Sequence, residues 1–270
     1  MQIINEEIEK LPFNKIKEII KDISISESYK SKEIFKVIDL LSKDKRKNVI
    51  SLSIKLKKEL DSYLNEIIRV KEMYSFDKSF GDYKYVAGVD EVGRGPLAGP
   101  IVACAVILDL NVIDDDLILY LNDSKKIKES MRSKLAEIIK EKAIAYSISI
   151  SSNKEIDERG IAFSNNKVFL ESCSSLKITP EIVLSDGYLV RGINILNKSV
   201  IKGDTKSASI AAASIVAKDY RDTLMKEYSK EYSMYDFEHN VGYGTSKHVE
   251  ALKKYGMCDI HRKSFLTKLL

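Results

Sequence analysis

Apolar positions in the first 78 residues recur at helical spacing. Ile16, Ile19, Ile20 and Ile23 form one stripe, and Ile34, Val37, Ile38 and Leu41 form a second. A third helix is predicted from about Asn48 to Tyr74, with Leu52, Leu56, Leu60, Leu64 and Ile67 along one side. This stretch holds a single Pro and no Gly. Near residue 80 the pattern changes to short apolar runs separated by helical periodicity. Strands are predicted at Val86–Asp90, Ile101–Leu108, Ala143–Ser151, Ile182–Ser185 and Asn197–Lys202. Helices are predicted at Ser130–Lys142, Ile161–Cys173, about Ser207 to Lys230, and Ser246–Tyr255. Strands interleaved with helices predict an α/β fold with a mixed sheet flanked by helices. The expected organisation is therefore a small all-helical extension over residues 1–80, joined through Ser75–Asp82 to a catalytic domain over residues 81–270.

The chemistry concentrates at the ends of the predicted strands. Residues Tyr85 to Pro100 read YVAGVDEVGRGPLAGP, an apolar run closing on Asp90 and Glu91 and followed by Gly93-Arg94-Gly95. Adjacent strand residues face opposite sides, so a bare Asp-Glu pair there aims one charge towards the core, and a cation would relieve that cost. The Gly-Arg-Gly segment offers bare backbone N–H groups and one guanidinium, the chemistry that holds a phosphate or a sugar hydroxyl. Two more acids follow predicted strands, in Asp186-Gly187 and Gly203-Asp204. Alone, Asp186-Gly187 reads equally as a turn and Asp204 equally as a helix N-cap. If the strands are neighbours, the four carboxylates converge at one sheet edge. That makes a poor zinc site and a good one for Mg²⁺ or Mn²⁺, as a metal pair carrying out phosphodiester hydrolysis requires.

Lys125, Lys202, Lys206, Lys218 and Arg221 are candidate phosphate contacts, each with a solvated charge as the plain alternative. Ser207 and Ser214 lie near the same edge, but no histidine partners either as a nucleophile. His239, His248 and His261 show no metal-ligand spacing and read as structural or surface residues. The basic run Lys43–Lys47 reads as a helix connection, with a nucleic-acid grip as the rival.

Composition bounds the rest. A net charge of +4 over 270 residues permits a nucleic-acid partner without showing one. No apolar run approaches the length of a membrane span, and MQIINEEIEK lacks the basic and apolar parts of a signal peptide. Three scattered cysteines, Cys104, Cys173 and Cys258, argue against zinc and disulfides and for a reducing cytoplasm. The expected protein is a cytoplasmic monomer.

The motifs together resemble ribonuclease HII, the type 2 ribonuclease H family. They are GVDEVGRGPLAGP at Gly88–Pro100, DSKKI at Asp123–Ile127, SDGY at Ser185–Tyr188, KGDTKSASIAAASIVAKDYRD at Lys202–Asp222, GYGT at Gly242–Thr245 and HRKSF at His261–Phe265. They follow the family order from about residue 84 to the end. The resemblance implies an RNase H-like fold and an endoribonuclease of DNA replication and repair. Such an enzyme cleaves the RNA strand of RNA–DNA hybrids and nicks 5′ of single ribonucleotides in duplex DNA, leaving 3′-hydroxyl and 5′-phosphate ends. It implies Asp90, Glu91, Asp186 and Asp204 as catalytic metal ligands. Gly93, Arg94 and Gly95 would sense the ribose 2′-hydroxyl, Tyr243 would pack on the sugar at the RNA–DNA junction, and Lys125 and Lys202 would touch substrate. Met257-Cys258 departs from the family's usual Pro-Ser type of turn. The rivals are another RNase H-like nuclease, of the resolvase or integrase type, and a hybrid-binding module whose acids are only structural.

Overall fold

The computed structural model describes residues 8–267. These cluster into two compact units that part between Arg69 and Val70. Helices α1 (Phe13–Lys21), α2 (Ile25–Ser28) and α3 (Lys32–Ser42) precede the long α4 (Lys47–Lys78), which runs through that boundary and through the first residues of the segment expected as a joint. The first unit's core joins Ile16, Val37, Leu41, Val49 and Leu56, the buried positions of the helical stripes. Its basic corner is structural. Arg46 grips Asp44 through Nε and Nη2 and donates to the carbonyl of Leu11, which draws Asp44 down to about 2. Lys43 pairs with Asp39 at 2.6 Å. Two of the run's four cations, Lys43 and Arg46, are thus engaged within the fold, as a helix connection expects.

The second unit is built on a five-stranded mixed sheet. Its strands are β1 (Val86–Val92), β2 (Ile101–Ile107), β3 (Ala145–Ser151), β4 (Ile182–Asp186) and β5 (Leu196–Val200), in the order β3-β2-β1-β4-β5. β1 runs antiparallel to β2 and parallel to β4, and β5 is parallel to β4. Between and after the strands come α5 (Glu129–Lys142), α6 (Asn153–Arg159), α7 (Ile161–Ser174), α8 (Ala208–Glu231), α9 (Phe237–Asn240), α10 (Ser246–Tyr255) and α11 (Lys263–Leu266). Alternation along the strands divides the two faces. Ala87, Val89, Ile101, Ala103, Ala105 and Ile107 pack with Val168, Phe169 and Cys173 of α7. The other face carries Gly88, and α8 lies on it. Among the described residues no helix is long and apolar enough to cross a membrane.

Two differences from the expected elements matter for the site. β1 continues past the acids, because Asp90 to Val92 remain paired with Cys104 to Val102. Glu91, expected just past the strand's end at Asp90, therefore sits inside it with Asp90. Asp204 is not the cap of α8. That role belongs to Ser207, whose hydroxyl accepts from the Ile210 amide at 3.1 Å, while Asp204 sits in a preceding 3-10 turn.

The tightest fit is between α8 and β1. A Cβ built on Gly88 would lie 2.1 Å from the Ser209 carbonyl carbon and 2.2 Å from the Ile210 nitrogen. The first half of α8, from Ala208 to Ala217, is buried and mostly small, so helix and strand backbones meet directly. Gly88→Ala is expected to cost about 2–3 kcal/mol or more, since backbone cannot yield as a side chain can. Urea unfolding of the two proteins checks this, and an unchanged midpoint would mean that the helix is free to move away.

Candidate active site

Sheet register brings the acids together. Val89 pairs with Ser185 across the parallel β1–β4 ladder, so the next residues along, Asp90 and Asp186, end up level. Beyond β5 the chain turns through Lys202, which adopts a left-handed backbone at φ 56°, into Gly203-Asp204. The amide of Gly203 donates to Asp186 Oδ1 at 2.7 Å. A Cβ on Gly203 would meet that same oxygen at 3.3 Å and Ile210 Cδ1 at 2.6 Å, so a glycine is needed for this approach. The result is a cavity of about 270 Å³ lined by Asp90, Glu91, Asp186 and Asp204, by Gly93, Arg94 and Gly95, and by Lys125 and Tyr243. Lys202 is exposed and lies outside it. Ser124, Ser214 and Val92 also line the cavity.

Ser124 has no signal in the sequence. It belongs to the DSKKI turn, where the Lys125 amide donates to Asp123 Oδ1 and the Ser124 hydroxyl meets that of Ser214 at 3.0 Å. Two of the proposed phosphate contacts require correction. Arg221 is fully buried, and its guanidinium donates to the carbonyls of Pro100, Val241 and Ala98. Lys218 is held against Asp222, which also binds Arg132. Both side chains are committed to the scaffold.

The cavity is short of positive charge. Burial, then the neighbouring Glu91, pushes Asp90 well above the usual carboxylate range. Burial pushes Glu91 up to about 7, although the Arg94 guanidinium, 3.6 Å away, pulls the other way. Asp204 is raised by burial and then by Asp186, against Lys125 and Lys126. Oxygen donors in excess of nearby cations suit a hard divalent ion. Among the described residues no group of three or more acids, histidines or cysteines is already set to hold one. Their oxygens are turned to protein donors instead. Asp90 Oδ1 accepts from the Glu91 amide at 2.7 Å, and Asp186 is bonded to Gly203. These are local bonds, and an all-oxygen donor set of this kind fits Mg²⁺ or Mn²⁺.

The wall opposite the acids is laced from three segments. Leu97 N donates to Gly242 O, Gly99 N to Ile260 O and Arg262 N to Leu97 O, each at 2.8 Å. Beneath Tyr243 runs a chain of buried histidine contacts. His248 Nδ1 meets the Tyr243 carbonyl at 2.9 Å and must carry the proton there. His248 Nε2 is then the acceptor for His261 Nε2 at 3.0 Å, and His261 Nδ1 accepts from the Cys258 amide at 2.9 Å. Burial and the facing His248 push His261 down to about 4, so both rings stay neutral. The structural reading of these two histidines is the one the geometry supports.

The two glycines of Gly93-Arg94-Gly95 differ. Gly93 has φ +94°, and a Cβ there would fall 2.3 Å from Arg221 Nε and 2.7 Å from the Pro100 carbonyl oxygen. Gly95 is exposed, and a Cβ there meets only the Tyr243 ring, at 3.9 Å. Gly93→Ala is therefore expected to destabilise by about 2 kcal/mol or more, and Gly95→Ala to stay within about 1 kcal/mol of wild type. Gly95→Ala should nonetheless obstruct the space beside Tyr243 and weaken the binding of any ligand seated there. Paired unfolding and binding titrations check this, and the reverse ranking of stabilities would overturn it.

Glu91 also sets a pH dependence for the metal-free protein. Its folded pKa is above its unfolded one, so the folded state holds the extra proton and stability falls as pH rises from about 4.5 to about 7. Glu91→Gln removes that fall. The variant should match wild type near the lower limit and exceed it above pH 7.5 by roughly 1–3 kcal/mol. Unfolding in chelator across this range tests it, and parallel pH profiles for the two proteins would contradict it.

Comparison with known proteins agrees with this site. Residues 87–268 match the family model described as Ribonuclease HII, and residues 14–81 match that of the Ribonuclease HII N-terminal domain. A protein named Ribonuclease HII from Clostridium beijerinckii is 71% identical over 266 residues, covering 98% of each chain. One of the same name from Clostridium perfringens is 58% identical over 267 residues, covering 99% of this chain and 97% of that one. The crystal structure of ribonuclease H2 from Pyrococcus horikoshii OT3 superposes with a TM-score of 0.57 at 26% identity, over 68% of this chain and 96% of that one. RNase HII from Archaeoglobus fulgidus, solved with PCNA, gives 0.55 at 26% identity, over 66% and 94%. The architecture is thus RNase H-like, and with relatives this similar along almost its whole length the chain belongs to the ribonuclease HII family of nucleases.

Proposed function

We propose that this protein is a metal-dependent endoribonuclease that cleaves the RNA strand of RNA–DNA hybrids and nicks 5′ of single ribonucleotides in duplex DNA, leaving 3′-hydroxyl and 5′-phosphate ends. The supporting observation is a single cavity lined both by four carboxylates and by Gly93, Arg94, Gly95 and Tyr243. Asp90, Glu91, Asp186 and Asp204 would hold Mg²⁺ or Mn²⁺. Bound there as a pair, such ions supply the charge that makes water a nucleophile and neutralises the leaving oxygen.

The chain's own residues position the substrate. Arg94 reaches both Glu91 and, at 4.6 Å, the face of the Tyr188 ring, so its guanidinium is held at the cavity mouth where a phosphate passes. Lys125 adds an exposed cation on the same rim. Tyr243 presents a half-exposed ring close beside Gly95, and a sugar would pack on this shared surface at the cavity. A backbone N–H there recognises the 2′-hydroxyl, the group that separates RNA from DNA. The structure gives Lys202 no such post, and its part would be confined to phosphates farther along the duplex. Action in the cytoplasm, in ribonucleotide removal during DNA replication and repair, completes the proposal.

A duplex DNA carrying one ribonucleotide should be nicked in Mg²⁺ or Mn²⁺ and left whole in chelator, while an all-DNA duplex survives both. Asp90→Asn or Asp186→Asn should lower turnover by more than the roughly 10–100-fold typical of outer-sphere changes, with the fold retained. Efficient cutting of the all-DNA duplex, or near-normal turnover by either variant, would sink the assignment.

A further inference from the structure

Among the described residues Arg221 and Arg262 are the two largest fully buried side chains, and neither forms an ion pair with a carboxylate. The Arg262 guanidinium spends its donors on carbonyls of the loop at the cavity wall. Nη2 donates to Gly93 O at 2.6 Å, Nη1 to Arg94 O at 2.9 Å and Nε to Gly99 O at 2.9 Å. A buried cation matched to carbonyl dipoles and to the Phe265 ring, 5.1 Å away, rather than to a carboxylate is costly, and burial with the nearby Arg221 pushes Arg262 down to about 9. The location of this cost identifies what it secures.

Each peptide unit is planar and trans, so the carbonyl of one residue and the N–H of the next point in opposite directions. The chain has no cis peptide bond. Drawing the Gly93 and Arg94 carbonyls back onto one rigid fork therefore turns the N–H groups of Arg94 and Gly95 the other way. Gly93, Arg94 and Gly95 all line the cavity, and among the described residues no backbone acceptor takes up either N–H. The neighbouring residue, His261, sends its side chain through His248 to the carbonyl of Tyr243. One short segment thus holds both sides of the space between Gly95 and Tyr243.

We infer that Arg262 is a positioning residue for ribose recognition, one that aims the Arg94 and Gly95 amides into the cavity by anchoring the carbonyls behind them. This deepens the reading given above and rests on it. Lysine cannot replace the fork, because a single ammonium on a flexible stem cannot hold two carbonyls in fixed directions.

The test compares wild type, Arg262→Lys and Phe169→Leu, the last a core change under α7 that loosens the fold without touching the loop. Rates are measured on a duplex with one ribonucleotide, and binding is measured on that duplex and on all-DNA duplex in chelator. Arg262→Lys should lose about ten- to a hundredfold in kcat/KM on the ribonucleotide substrate, the worth of one or two misdirected hydrogen bonds, and should bind the two duplexes almost equally. Phe169→Leu should lower Tm and keep the wild-type preference. An Arg262→Lys protein with the wild-type preference, or a Phe169→Leu protein that loses it, would overturn the inference. If Arg262→Lys does not fold, the wild type decides through its amide spectrum. The Arg94 and Gly95 N–H signals should move on adding the ribonucleotide duplex and stay in place with all-DNA duplex, and the same response to both would overturn it. A wild type that nicks no ribonucleotide substrate would instead defeat the functional reading itself.

Discussion

α8 can rest on β1 only because Gly88 has no side chain, and the placement of the acids follows from that contact. Gly88 lies two residues before Asp90 on the same face of the strand. The part of α8 that meets it, Ser209-Ile210, lies a few residues after Asp204. Helix and strand backbones in direct contact fix where Asp90 and the segment carrying Asp204 lie relative to each other. Ser214, one turn farther along α8, is brought over the same cavity and meets Ser124 there. The parallel pairing of β1 with β4 then adds Asp186 without any further device.

This arrangement stores electrostatic stress of opposite sign on its two sides. On one side, carboxylates are buried with too few cations, and their pKa values rise in consequence. On the other, Arg221 and Arg262 are buried with their guanidinium N–H groups donating to carbonyls rather than to carboxylates. Either group would be more comfortable beside the other, yet the fold keeps them in separate places. The acids are left hungry for a divalent cation. The arginines harden a loop whose outward N–H groups can serve a neutral hydroxyl or a phosphate oxygen. Pairing acids with arginines would have strengthened the scaffold and removed both functions.

How much of this was readable in the sequence depends on how local each cause is. The strands and helices were legible because their apolar periodicity is local, and Ser246–Tyr255 coincides with the observed helix. The acids were legible because glycine-flanked carboxylates after apolar runs are unusual. The end of β1 was placed two residues early, at Asp90, because charges argue against a strand, whereas pairing with β2 carries Glu91 and Val92 inside it as well. Arg221 looked like a phosphate contact because a basic residue near acids carries no sign of what surrounds it. Its partners are carbonyls at Ala98, Pro100 and Val241, which only the folded chain assembles. The His248–His261 pair was hidden for the same reason.

Asp77 shows how such non-local causes tie the end of the helical stretch to the second unit. By composition it belongs to the helical, glycine-free stretch, and the expected boundary near residue 80 placed it outside the chemistry. In the structure it lies in the unit that begins at Val70. It is fully buried, and its Oδ2 accepts from the Ser209 amide at 2.8 Å, in the first turn of α8. Burial pushes it up to about 6, while the Ser207 and Ser209 groups around it favour its charge. A carboxylate at a helix N-terminus takes up amide groups that have no partner within the helix, and it favours the dipole. Here those amides belong to the helix that is pressed onto Gly88. The last turns of α4 thus help to fix the element that places Asp204 and Ser214, although they carry no residue of the site. Sequence composition marks where a chain changes character. The family models part between residues 81 and 87, near that change, while the last turns of α4 pack with the unit that begins at Val70.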